Sequence, residues 1–329
     1  MSLKLRLARI AARIEAGVDG LLRQVPPKPG WIEAYDGYAT PEHLVVRGRV
    51  LARSTASTVR PEQGPWRNFR AMVRLFATDE VRGVRLVARG VAGVSDEEGY
   101  FRIEVPRGSE TGWVDIEVRA GELKAVCPVL VAPEAAAFMV ISDIDDTMMR
   151  TGAYSLAKNI WTSLTGNAQT REVFGDAKRL VEVLHEGGRN PVYFVSSSPW
   201  NFHAFLKAVF ERAGLPQAPV FLRDYGISET QFITGTHGDH KGDAIDRLMA
   251  ANPGLDAVLV GDSGQHDPVV YADAAERHPG RVRTVVIRSA GGIGPEDEAE
   301  VARILGTGAQ VFVGESYEAA IAAFEEALA

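Results

Sequence analysis

Cysteine is almost missing from this chain. Its 329 residues hold one, Cys127, so no intrachain disulfide can form, and a reducing, cytoplasmic setting is the expectation. A basic excess is missing as well. The formal net charge is -7, from 36 Lys and Arg against 43 Asp and Glu. That excludes a dedicated nucleic-acid binder, which carries a positive field, but not small phosphorylated ligands, which need only local positive charge. No apolar run approaches the roughly 18 residues of a membrane span. The opening segment MSLKLRLARIAARIEAGVDGLLRQ is broken by Arg6, Arg9 and Arg13 and lacks a signal-peptide core. Internal repeats, low-complexity tracts and a heptad seam are also lacking.

What is present is apolar residue enough, 46% of the chain, for two ordinary domains with sizeable cores. Three parts can be told apart. Residues 1–28 read as an amphipathic helix and linker: Leu3, Leu7, Ile10, Ile14 and Leu21 fall at helical spacing, and the prolines of VPPKPG at 25–30 stop the helix. Docking on protein is the commoner use of such a stripe, a membrane surface the rarer one. Residues 29–134 are β-rich, with strands expected at 43–53, 69–77, 83–90, 100–105, 112–119 and 123–132. Short strands at regular spacing suggest a small sandwich. The acidic run SDEEG at 95–99 reads as a solvated hairpin tip rather than a calcium loop, and Trp66 as a packing residue.

Residues 135–329 change pattern. Continuous apolar strands (137–142, 191–196, 218–222, 256–261, 282–287 and 309–313) alternate with helices near 171–186, 201–213, 241–251, 268–277, 296–305 and 316–328. This is the pattern of an α/β domain with a doubly wound parallel sheet covered on both faces. Such sheets bind ligands at the carboxyl ends of their strands. The first strand ends in SDIDDT, with Asp143, Asp145, Asp146 and Thr147; the second in SSSPWN, with Ser196 and Ser197; the fourth in GDSGQHD, with Asp262 and Asp267. HGDHKGD places Lys241 near a helix start.

Taken singly, each residue has a structural reading as turn former, helix cap or solvated charge. Together they do not. Period-two geometry puts residues 143 and 145 on one side of the strand end, and several carboxylates converging there need a cation. Hard oxygen ligands of this kind suit Mg²⁺, which then draws in a phosphate. Lys241 adds positive charge, Ser196 a hydroxyl, and the backbone amides after Asp143 and Ser196 further donors.

This ordered set resembles the four motifs of the haloacid dehalogenase superfamily. The resemblance implies that Asp143 is the nucleophile, Asp145 the general acid and base, Ser196 and Lys241 the phosphoryl holders, and Asp143, Asp145 (through its carbonyl), Asp262 and Asp267 the Mg²⁺ site, with Asp146, Thr147 and Ser197 near the phosphate. Haloalkanoate-cleaving members lack an acid at position 145 and ion-pumping ATPases usually carry Thr there, so Asp145 points to a phosphatase. The local wording DIDDT, VSSSPWN, HK and GDSGQHDPVVY is similar to the catalytic domain of the actin-patch-associated phosphatidate phosphatases and their bacterial relatives, and VVRGRVLAR to the upstream part of the bacterial proteins. The implied reaction is Mg²⁺-dependent conversion of phosphatidate to diacylglycerol by a cytoplasmic protein acting peripherally at a membrane surface. The residues themselves leave open a soluble phosphomonoester or phosphoprotein substrate, a receiver-type domain, and a binding scaffold with a vestigial core.

The segment from 148 to 169 is too short for a large cap and is expected to form a flap and helix over the site. Its Leu156, Ile160, Trp161 and Leu164 could meet an acyl chain, though packing is the readier use. Trp200 reads either as a wall of the site or as a packing residue; His237, His240 and His266 are loop histidines near it, with a second metal site the sharper alternative. The partner of the β-rich domain and the oligomeric state are not legible.

Overall fold

The computed structural model describes residues 27–53, 80–149, 173–223, 237–264, 266–289 and 291–328. The expected N-terminal helix, the strand at 69–77, Trp66 and the four apolar flap residues lie outside the described residues.

The first described unit, the β-domain, contains β1 (Trp31–Ala39), β2 (His43–Leu51), β3 (Arg85–Ala88), β4 (Val91–Val94), β5 (Tyr100–Pro106), β6 (Gly112–Ala120) and β7 (Leu123–Val131). Alternation builds it. In β5, Phe101, Ile103 and Val105 are buried while Arg102 and Glu104 face out. The strands form one sheet, ordered β4-β3-β6-β7-β1-β2-β5. Pairing is antiparallel except between β1 and β7. Among the described residues, the expected sandwich is therefore corrected to a single curled sheet. Its two edges, β4 and β5, come together: a Cβ on Gly93 would lie 2.7 Å from Ile103 Cγ1. The SDEEG tip makes this possible, because Asp96 Oδ1 accepts hydrogen bonds from the amides of Glu98 and Tyr100, and Gly99 takes φ +80°. Near-closure removes the exposed edges that a two-sheet stack would leave. Cys127 is buried inside, with its thiol pushed up to about 12 by burial.

The second unit carries β8 (Phe138–Asp143), α1 (Gly175–His185), β9 (Val192–Pro199), α2 (His203–Ala213), β10 (Val220–Arg223), α3 (His237–Ala251), β11 (Asp256–Asp262), α4 (Asp267–Arg277), β12 (Val282–Arg288), α5 (Pro295–Gly306), β13 (Gln310–Gly314) and α6 (Glu318–Leu328). Its six strands lie in the order β10-β9-β8-β11-β12-β13, all parallel. Alternate strand residues point to opposite layers. Val140, Phe194 and Val258 pack with α1, α2 and α6, while Met139, Ile141 and Leu259 pack with α3, α4 and α5. Burial on both faces explains why these strands are continuously apolar. The chain runs outward from β8 to β10, then returns to β11 on the other side of β8. The order reverses between β8 and β11, so their carboxyl ends, Asp143 and Asp262, flank the crevice where open parallel sheets bind ligands.

Candidate active site

The turn after β8 is held from below. Ile144, Met148 and Met149 are buried in the core, and the amide of Met148 donates to Ile144 O at 2.9 Å. Asp146 takes a left-handed φ of +58°, which Asp tolerates better than most residues. Its amide donates to Met149 O at 2.9 Å, so the amide expected to hold a phosphate oxygen is engaged inside its own turn. The apolar anchors leave Asp143, Asp145 and Thr147 facing the crevice, all of them buried.

Four of the expected residues meet in one cluster. Lys241 Nζ lies 2.7 Å from Asp143 Oδ1 and also pairs with Asp267 Oδ1. Asp267, the first residue of α4, accepts a hydrogen bond from the Asp262 amide on its other oxygen, at 3.1 Å. Asp143, Asp262 and Asp267 each offer an oxygen within 4.8 Å of the others. Asp143 Oδ2 is buried without a hydrogen-bond partner. One ammonium thus faces three buried carboxylates, and an unsatisfied carboxylate oxygen points into the gap. A hard divalent cation fits this donor set, since it would satisfy that oxygen and relieve the repulsion.

The electrostatics follow. Burial pushes the Asp143 carboxyl well above the usual range; Lys241 opposes this, and Asp267, Asp145 and Asp262 add to it. Burial and then Asp267 raise Asp262 to about 7. Burial works against the Lys241 ammonium, but Asp143 and Asp267 outweigh it and raise its pKa.

Asp145 sits apart from that cluster. Its Oδ2 accepts from Ser196 Oγ at 2.7 Å and from Ser198 Oγ at 3.1 Å, while Oδ1 has no partner. Burial raises its pKa against the lowering effect of both serines and Lys241. A carboxyl biased towards its protonated form, with one oxygen free, is suited to passing a proton. Ser196 was expected at the phosphate, yet its hydroxyl is turned to Asp145. Ser198 was not singled out at all. Its signal was the SSS run itself: in an extended strand residues 196 and 198 share a side, and both are buried.

Two tyrosines also support the rim: Tyr271, which closes the GDSGQHDPVVY stretch, and Tyr317, which no motif marks. Tyr271 donates to Val260 O at 2.8 Å and Tyr317 to Gly261 O at 3.1 Å. Gly261 itself is required by close approach, because a Cβ there would stand 2.5 Å from Asp267 Oδ2 and 2.7 Å from the Tyr271 ring. Thr147 Oγ1 reaches Asp262 Oδ2 at 3.4 Å, which ties the first motif to the last. Ser197 stays half-buried on the opposite side of the strand from Ser196.

His240 and His266 do not join the acids. Burial, then Arg223 and Arg247, hold His240 down to about 4, so it is neutral. His266 takes φ +65° ahead of α4. Among the described residues only the Asp143, Asp262 and Asp267 group has metal-ligand spacing. Trp200 packs against the β-domain, its ring stacked on Tyr35 with centroids 4.5 Å apart.

Residues 138–289 match the family model described as phosphatidate phosphatase APP1, catalytic domain. The chain is 28% identical over 149 residues to phosphatidate phosphatase APP1 of Saccharomyces cerevisiae, covering 45% of this chain and 25% of that protein. It is also 28% identical over 235 residues to an uncharacterised protein of Schizosaccharomyces pombe, covering 66% of this chain and 37% of that one. The chain therefore spans a quarter to somewhat over a third of the length of these curated relatives.

Proposed function

We infer that this chain, whose residues 138–289 belong to the family of the phosphatidate phosphatase APP1 catalytic domain, is a phosphoric monoester hydrolase working through an aspartyl-phosphate. The domain is read as haloacid dehalogenase-like. Phosphatidate is the proposed substrate, after the relative in yeast. The observation that carries the reading is the separation of two buried carboxylates into different environments: Asp143 beside Lys241, and Asp145 under two serine hydroxyls.

Asp143 would attack the phosphorus of the monoester through one carboxylate oxygen, and the ester P–O bond breaks as the P–O bond to Asp143 forms. Asp145 gives its proton to the departing alkoxide. In the second half, Asp145, now ionised, takes a proton from the water that attacks the acyl-phosphate, releasing inorganic phosphate and restoring both carboxyls. Ser196 and Ser198 orient Asp145 in both halves. Lys241 holds negative charge on the transferring group, with Thr147 and Ser197 as further contacts. The Asp146 amide could add one only by leaving Met149 O. Asp143, Asp262 and Asp267, with the Asp145 carbonyl, are the proposed ligands of Mg²⁺, which when bound would screen the carboxylates from the phosphate and polarise its oxygens.

The test is a phosphatase screen with Mg²⁺ and with a chelator, running phosphatidate in mixed micelles beside an aryl phosphate and a sugar phosphate. Metal-dependent turnover of phosphatidate that Asp143→Asn abolishes is the expected outcome. Turnover of the sugar phosphate with phosphatidate inert would move the substrate to a soluble monoester; a fully active Asp143→Asn protein would end the aspartyl-phosphate reading.

A further inference from the structure

The β-domain lies outside the matched stretch 138–289, yet it grips the turn that follows the two serines. The junction is polar and buried. Asp36, in β1, is 2% exposed and lies within 3.3 Å of Lys207 Nζ and 3.0 Å of Gln217 Nε2, both from the second unit. Arg47, in β2, donates to Asp36 O at 2.9 and 2.8 Å and to Val220 O at 3.0 Å. Its guanidinium stands 4.3 Å from the Phe221 ring centroid and 5.3 Å from that of Trp200. Tyr35 covers Trp200 with an interplanar angle of 17°. Buried polar groups are costly unless partnered, and several of these partners lie across the junction. The default of domains moving freely on each other therefore does not describe this one.

We propose that Tyr35 and Arg47 are positioning residues of the reaction: by clamping Trp200 they fix the 196–198 serines against Asp145. The proposal rests on the phosphatase reading above. Trp200 opens a 3-10 turn, Trp200–Phe202, immediately after β9. Only Pro199 separates it from Ser198, whose hydroxyl reaches Asp145 Oδ2. Proline fixes its own φ, so the lever from Trp200 to Ser198 is short and stiff. Ser196 is coupled to the same lever, because the Ser198 amide donates to Ser196 Oγ at 3.0 Å. Displacing Trp200 therefore moves both hydroxyls that orient the acid, while Lys241, held from α3 and α4, stays where it is. Rate should suffer more than binding.

The experiment uses the full chain with Mg²⁺ and p-nitrophenyl phosphate. Tyr35→Ala removes the stack and should lower kcat on the order of ten- to a hundred-fold with KM little changed. Tyr35→Phe keeps the ring and should retain the wild-type kcat. Arg47→Met should behave as Tyr35→Ala does. Ile103→Ala is the control: it opens a cavity in the β-domain core, opposite Val46 rather than Arg47, and should lower the melting midpoint while keeping kcat below that temperature. Wild-type kcat in folded Tyr35→Ala and Arg47→Met would overturn the proposal. So would an Ile103→Ala loss as large as that of Tyr35→Ala. A wild-type chain inactive on every phosphomonoester would overturn the phosphatase reading and this proposal with it; an active wild type with an indifferent Tyr35→Ala would overturn this proposal alone.

Discussion

Lys241 Nζ stands 2.7 Å from Asp143 Oδ1 and bridges that carboxylate to Asp267, so this buried ammonium lies between a strand end and a helix start. It arrives there from α3, whose Ala244, Ile245, Leu248 and Met249 are buried against the sheet. The contact couples fold to chemistry: the cation that lets three aspartates stay buried is the one placed to meet a phosphate.

Lys241→Met tests both halves of that coupling. Removing one partner of a buried ion pair costs about 3–5 kcal/mol, so urea unfolding in the presence of a chelator should show a loss of that order. Turnover should fall on the order of a hundred- to a thousand-fold, the usual cost of deleting one preorganised charge stabiliser. Mg²⁺ should stabilise the variant by more than it stabilises the wild type, since the carboxylates have lost their internal cation.

Ser198→Ala removes one of two donors to Asp145 Oδ2. Both serines favour the ionised carboxyl, so the limb of the kcat/KM pH profile that reports Asp145 should move to higher pH. Ser196→Ala should move it the same way, and the double variant further. Ser197→Ala, on the other side of the strand, should leave the limb in place.

Metal-free stability should depend on pH in a stated direction. Asp262 is raised from 3.8 to about 7, so between those values the folded chain binds more protons than the unfolded chain. Stability then falls as pH rises through that window. Asp143 and Asp145, raised as well, act with the same sign. The melting midpoint in chelator should decline from pH 4 towards pH 7, and Mg²⁺ at pH 7 should restore it. A midpoint that climbs over this window without metal would contradict the assignment.

Much of this site was legible because it is built from local rules. Apolar strands that stop at Asp143 and Asp262, and a parallel sheet that gathers its carboxyl ends, place the acids before any coordinates are known. What stayed hidden depends on contacts distant in sequence. The strand Trp31–Ala39 was masked by Glu33, Asp36 and Gly37, and Asp36 is tolerated there only because Lys207 and Gln217 meet it. Trp200 could not be resolved as site wall or packing residue until Tyr35 was found on it. The curled sheet and a sandwich share the same period-two pattern, and only the approach of β4 to β5 separates them. Ser196 has its hydroxyl turned towards Asp145, a choice of rotamer that no spacing can report.

Gly261→Ala probes the tight packing of the rim. The added methyl would press on Asp267 Oδ2 and the Tyr271 ring, both fixed by hydrogen bonds. A stability loss of about 1–3 kcal/mol is expected from overpacking, with weaker Mg²⁺ binding by calorimetry because Asp267 is displaced. Gly264→Ala, where the Cβ would meet only Asp262 Oδ1 at 2.9 Å, should be milder.

The most direct measurement is chemical trapping of the covalent intermediate. Enzyme turning over a phosphomonoester with Mg²⁺ is quenched in acid, reduced with borohydride, digested and mapped by mass spectrometry. An aspartyl-phosphate at the proposed nucleophile would be reduced to homoserine at position 143, and at no other aspartate. Active enzyme that yields no homoserine, or yields it at Asp145, Asp262 or Asp267, would contradict the assignment of Asp143.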